Sequence, residues 1–178
     1  MSGVASEVAR GQGQGRRPGT PAGDAAGREV DTDEIPDVAP DAFTVRLSRA
    51  DYDRIVAHCE AGLPNEACGL IAGRVEGRVK TVERVYPCTN VDRSSEHFTI
   101  DPHEQLAAIR DARAAGLSML GNFHSHPQTP ARQSVEDKRL SYDHAASYLI
   151  LSLAADEPVL NSFRYDGVES TREVLVVE

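Results

Sequence analysis

Gly121-Asn122-Phe123-His124-Ser125-His126-Pro127, followed after six residues by Ser134-Val135-Glu136-Asp137, is the stretch on which the reading of this chain turns. The run from Leu117 to His124 is short and mostly apolar, which suits a buried strand. In an extended chain, residues two apart point to the same side, so His124 and His126 present two imidazoles to one point at the strand's end. Asp137 opens the next helix and can fold back as a third ligand. Imidazole nitrogens, carboxylate oxygens and one open position are what a catalytic zinc site uses. The same spacing of Ser134 and Asp137 also reads as a capping box that starts a helix. The two readings are compatible, because a hydroxyl and a carboxylate can both project from a helix N-terminus.

Working outward, Phe43 to Leu47 alternates apolar with polar and reads as a first strand. Ser48 caps a helix over Arg49 to Ala61, with Tyr52, Ile55, Val56 and Cys59 on one face and Gly62 and Pro64 ending it. Ala67 to Ala72 suits a buried strand. Gly73 to Gly77 reads as a turn, and Arg78 to Tyr86 as the second strand of a hairpin. Pro87 to Ser95 reads as a loop and His97 to Ile100 as extended chain. Asp101-Pro102 opens a helix carrying Leu106, Ile109, Ala112 and Arg113 and stopping at Gly116. After the histidines, Ser134 starts a helix to about Tyr142, and Tyr148 to Leu153, Val159 to Tyr165 and Glu173 to Val177 are strands. Strands mixed with three helices predict an α/β class, a layered domain around a mixed sheet flanked by helices.

The first forty residues differ in kind. Up to Asp41 there is no aromatic residue and no leucine, and such a stretch cannot bury enough apolar surface to offset its ordering entropy. The sequence therefore predicts a disordered tail over 1–41 and a folded domain over 42–178. Arg16-Arg17 lacks the apolar run of an export signal, so neither a signal peptide nor a membrane span is expected, and the cytoplasm is the expected location. A net charge of -9 argues against nucleic acid as a partner. The three cysteines, 59, 68 and 88, form no C-x-x-C pair and read as core or incidental thiols, with Cys88 the most exposed.

The ordered pattern Glu66, His124-Ser125-His126-Pro127, Ser134, Asp137 resembles the signature of the JAMM (MPN+) zinc metalloproteases. Its surroundings, Pro64-Asn65-Glu66-Ala67-Cys68-Gly69-Leu70 and Asn122-Phe123-His124-Ser125-His126-Pro127, resemble the short prokaryotic members. The resemblance runs from about Thr44 to the C-terminus and implies a JAB/MPN, cytidine-deaminase-like layered fold. It implies one zinc ion per chain, held by His124, His126 and Asp137. Glu66 matches the carboxylate that takes a proton from the attacking water and later passes it to the leaving amine, and Ser134 the hydroxyl that supports the oxyanion. The implied reaction is hydrolysis of a peptide or isopeptide bond at the C-terminal tail of a ubiquitin-like protein, in prokaryotes a small sulfur carrier. The alternative is a non-catalytic MPN-type scaffold, although such scaffolds usually lack one or more of the five residues present here. A nucleobase deaminase would need H-x-E followed by P-C-x-x-C, and that combination is absent. His58, His97, His103 and His144 lie outside the pattern and read as surface or packing residues.

Overall fold

The structure is a computed structural model that describes residues 34–178. In chain order the elements are β1 (Thr44–Leu47), α1 (Arg49–Gly62), β2 (Cys68–Glu76), β3 (Val79–Cys88), α2 (Pro102–Ala114), β4 (Ser118–His126), α3 (Val135–Leu140), β5 (Ser147–Ser152), β6 (Val159–Tyr165), β7 (Ser170–Arg172) and β8 (Val174–Val177). The eight strands form one mixed sheet in the order β7-β6-β5-β4-β2-β3-β1-β8. Beside the parallel pairs β1/β3, β1/β8 and β4/β5, the remaining neighbours run antiparallel. No helix among the described residues is long and apolar enough to cross a membrane.

Period-two alternation sends neighbouring strand residues to opposite faces of this sheet. Ile71, Phe123, Leu149 and Leu151 join Ile55 and Cys59 of α1 in one buried cluster. Leu70 and Cys88 meet Ala108 of α2 in a second, and Ile150 and Phe163 meet Ala131 in a third. Central strands covered on both faces read as continuous apolar runs, and β5 is buried at every position. The helices begin as expected: the Ser48 side chain accepts from the Asp51 amide, and the Asp101 side chain from those of His103 and Glu104.

Two glycines set the phase of the strands that carry the site. Gly73, read from sequence as the start of a turn, lies inside β2 at a bulge, where a Cβ would sit 1.9 Å from the Thr81 carbonyl oxygen. The turn is reduced to Gly77-Arg78. Gly121 has φ +152, and a Cβ there would sit 1.8 Å from the Ser147 carbonyl oxygen of β5. Beside it the pairing of β4 with β2 slips at Leu120. Leu120 and Phe123, three apart, thereby enter the same cluster, and His124 and His126 fall on the opposite face.

The structure adds to or departs from the sequence reading at four further points. Cys88 is buried, because β3 continues through Pro87. Beyond Thr81, β3 has β2 as its neighbour but no longer β1, an edge position that tolerates proline. On α2, Ala108 packs inward and Leu106 is exposed. A strand unread from sequence, β7, pairs with β6. The stretch 34–41, expected as tail, touches the domain where Ile35 packs on the third cluster and Val38 bridges to Arg172. Residues 1–33 of that expected tail lie outside the described residues.

Edge strands β7 and β8 are separated in the chain by Glu173 alone, so the sheet curls until its two edges meet. The Glu173 amide donates to Ser162 of β6, and the Val174 amide to Phe43 beside β1. Beneath this corner Lys80 Nζ lies 3.3 Å from Glu173 Oε1, with both side chains under 5% exposed. Lys80 also donates to the Ala145 carbonyl and Ser147 Oγ, while Ser162 Oγ donates to Glu173 Oε2. Burial lowers the Lys80 pKa and the Glu173 carboxylate opposes that shift. Removing one partner strands a buried charge, so Lys80→Met alone should cost about 3–5 kcal/mol in urea unfolding. Lys80→Met with Glu173→Leu should recover most of that loss; a single variant as stable as the parent would contradict this account.

Candidate active site

Glu66, His124, His126, Ser134 and Asp137 come from three separate parts of the chain, and one strand pairing gathers the first three. Cys68 of β2 faces His124 of β4 in the ladder. Just before it, the Ser125 amide donates to the Ala67 carbonyl and the Ala67 amide to Ser125 Oγ. Ser125 is thus bound twice to the residue that follows Glu66, and the imidazoles on either side of it turn to the other face. Glu66 is held by its own backbone: its amide donates to the Ser94 carbonyl and its carbonyl accepts from Asn90 Nδ2. Glu66, His126 and Ser134 line one cleft.

Among the described residues, His124, His126 and Asp137 form the group whose ligand atoms lie within 4.8 Å of one another. His124 Nε2 is 3.2 Å from His126 Nε2 and 3.3 Å from Asp137 Oδ1, and His126 Nε2 is 3.4 Å from Asp137 Oδ2. Ligand atoms about 2.0–2.1 Å from a tetrahedral ion stand about 3.3–3.4 Å apart, so this triangle has the edges of such a coordination shell. The Pro130 carbonyl can only accept, so His126 Nδ1, 3.0 Å away, carries the proton and leaves Nε2 its lone pair. Thr129 Oγ1 is 3.1 Å from the same nitrogen. His124 is oriented differently. Its Nδ1 has no hydrogen-bond partner among the described residues, and the Phe98 ring stacks on it at 4.7 Å.

The electrostatics ask for positive charge at this centre. Burial alone would raise the Asp137 pKa, but His124 and His126 hold it well below the usual carboxylate range. Burial would depress the His124 pKa, and the Asp137 carboxylate outweighs it and raises it. A cation placed between these donors meets the same demand. The donor set, two imidazoles and a carboxylate with a face left towards the cleft, therefore fits a divalent metal.

Glu66 is 6% exposed, and burial raises its pKa above the usual carboxylate range, with His124 and His126 pulling it partly back. Ser134 and Asp137 form the expected capping box: Asp137 donates its amide to Ser134 Oγ, and Ser134 donates its amide and hydroxyl to Asp137 Oδ2, both at 2.8 Å. The Ser134 hydroxyl is thus committed to orienting Asp137, and must turn from it to serve an oxyanion.

The other histidines separate from the site to different degrees. His58-Cys59-Glu60 is an H-x-E string, but it lies within α1, with Cys59 in the core and His58 Nε2 bonded to the Cys68 and Cys88 carbonyls. It packs; it does not face the cleft. His97 lies nearer, since its ring bonds the Oγ of Ser94, whose carbonyl holds the Glu66 amide. Sequence reasoning missed Phe98, the Pro130 carbonyl and Arg132, which also lines the cleft. A Pro-rich loop after H-x-H was the one available signal for Pro130 and Arg132, and Phe98 had none.

Comparison with known proteins gives the family. Residues 48–166 match the family of prokaryotic homologs of the JAB domain. The CysO-cysteine peptidase of Mycobacterium tuberculosis is 36% identical over 137 residues, covering 75% of this chain and 92% of the relative. The desampylase of Haloferax volcanii is 30% identical over 105 residues, covering 56% and 74%. A solution structure of a protein from Desulfitobacterium hafniense has a TM-score of 0.69 at 49% identity, covering 75% of this chain and 92% of that one. A JAB1/MPN domain protein from Archaeoglobus fulgidus, 19% identical with a TM-score of 0.51 over 78% and 99% of the two chains, shares the fold. With two thirds of its length matched to the family and its sheet built on the same plan, this chain belongs to the prokaryotic JAB-domain family of the MPN fold.

Proposed function

We propose that this chain is a zinc-dependent peptidase that hydrolyses a bond at the C-terminal tail of a ubiquitin-like sulfur-carrier protein, with residues 42–178 as its catalytic domain. The observation that carries this reading is the convergence of His124, His126 and Asp137 at 3.2–3.4 Å beside the cleft that Glu66 lines. The names of the relatives support the substrate class: one is a CysO-cysteine peptidase, and another, from Thermus thermophilus, a probable TtuB-protein conjugate cleaving protease.

Bound by the three side chains, zinc would polarise the scissile carbonyl and bring a water's pKa down towards about 7. The chain's own residues do the rest. Glu66, its basicity raised by burial, takes a proton from the attacking water at a carboxylate oxygen. The same oxygen then delivers the proton to the departing amine. Ser134, at the edge of the cleft, turns its hydroxyl from Asp137 towards the negative charge that develops on the substrate oxygen. The Pro130 carbonyl keeps His126 in one tautomer, and Phe98 keeps the His124 ring from rotating.

Three variants test the assignments separately. Glu66→Gln should keep about one zinc per chain by elemental analysis while losing about 10²–10⁴ in kcat, the usual worth of a general base. His124→Ala should purify without metal, and added zinc should not restore turnover. Ser134→Ala should retain zinc yet lower kcat by about 10²–10³, as other lost oxyanion donors do. Activity is read by mass spectrometry on a carrier-protein fusion. Full turnover by Glu66→Gln would refute its role, and metal-free wild-type protein would favour the scaffold reading.

A further inference from the structure

A helix of six residues brings Asp137 to the site, and that helix has no apolar face by which to dock. None of the residues of α3 is buried, and Leu140 is half exposed. So short a helix is not stable alone, and its capping box ties Asp137 only to the helix's own first turn. To share an ion with His124 and His126, however, the Asp137 carboxylate must be held to within about 0.5 Å.

The chain leading into the helix is anchored to the sheet at alternate residues. The Leu153 amide donates to the His126 carbonyl, Ser152 Oγ to the Thr129 carbonyl at 2.7 Å, and Asn161 Nδ2 to the Ala131 carbonyl at 2.9 Å. Two residues on, Gln133 continues the series, and it is only 5% exposed. Its Oε1 accepts from Ser170 Oγ of β7 at 2.6 Å, and its Nε2 donates to Ser141 Oγ at 3.2 Å. Ser141, buried at the C-terminal end of α3, donates at 2.7 Å to the main-chain carbonyl of Asp137. Counting protons fixes the direction of this relay, because a serine hydroxyl has one to give. Ser141 gives its proton to the Asp137 carbonyl, so Gln133 must meet Ser141 with an N–H and turn its oxygen to Ser170. Each group has one role, and loss of the amide would leave buried polar atoms unmet.

Resting on the metal-site reading above, we infer that Gln133 is a positioning residue for the metal centre: with Ser170 and Ser141 it clamps α3 to the edge of the sheet, so that the Asp137 carboxylate meets the two imidazoles. It acts through Asp137 rather than by touching the ion. The three-residue strand β7 thereby serves the site from the sheet's edge.

The test uses the full-length protein with zinc or cobalt(II) as the probe. Zinc affinity is read by competition with a chromophoric chelator, and the ligand set by the visible absorption of the cobalt-loaded protein. Gln133→Met, close in length and without the amide, should weaken zinc binding about 10–100-fold, as lost outer-shell partners do, and alter the cobalt bands. Ser170→Ala, which removes only the outermost donor, should weaken zinc about fivefold, as loss of one neutral hydrogen bond would. Ser170→Thr keeps the hydroxyl and should bind zinc as the wild type does. A role in folding alone would lower the urea midpoint and leave both metal readouts unchanged in the folded protein. A folded Gln133→Met with wild-type zinc affinity and cobalt bands would therefore overturn the inference while leaving the metal site intact. Should that variant fail to fold, the Ser170 pair decides, and wild-type affinity in Ser170→Ala would overturn it. Wild-type protein that binds neither metal would overturn both the inference and the zinc reading.

Discussion

The register between β2 and β4 is the constraint on which the site depends. Cys68 stands opposite His124, and Ser125 is hooked to Ala67 by two hydrogen bonds. A slip of one residue would reverse every side chain of β4. His124 and His126 would then enter the cluster now filled by Phe123 and Leu120, and Phe123 would face the cleft. Burial of Phe123 at full coverage, against Gly69 where no side chain could fit, makes that slip expensive. The same pairing carries Glu66, two residues before Cys68, to the imidazoles' side.

Buried charge is the second organising theme, and it is handled differently at the two ends of the sheet. At the β7/β8 corner, Lys80 and Glu173 neutralise each other, Lys80 donates further to Ser147 and the Ala145 carbonyl, and Glu173 accepts from Ser162. That network closes on itself. At the end of β4 the sum does not close within the protein: two imidazoles face one carboxylate, with Glu66 buried beside them. A site left needing a cation is a poor contributor to stability and a good place to bind one.

Much of this was legible from the residues because it rests on local periodicity. The period of two placed both histidines on one side of a strand, and the capping spacing of Ser134 and Asp137 is the geometry found. Ser48 and Asp101 marked their helix starts for the same reason. What sequence could not reveal depends on distant partners or on phase changes. Nothing local to Lys80 marks its burial, because its partner Glu173 lies 93 positions later. The bulge at Ala72/Gly73 moves a glycine from an expected turn into a strand. Phe98 is separated from His124 by the whole of α2 and the first part of β4, so their stacking leaves no local mark.

The site's central claim is that these three side chains share a single ion with one face open. Anomalous diffraction at the zinc absorption edge, from crystals of the metal-loaded protein, tests it most directly. The account predicts one strong peak per chain, about 2.0–2.2 Å from His124 Nε2, His126 Nε2 and an Asp137 oxygen, with its fourth side towards Glu66. A loaded crystal whose zinc lies elsewhere, or whose Asp137 stays bound to Ser134 and out of reach of the ion, would contradict it.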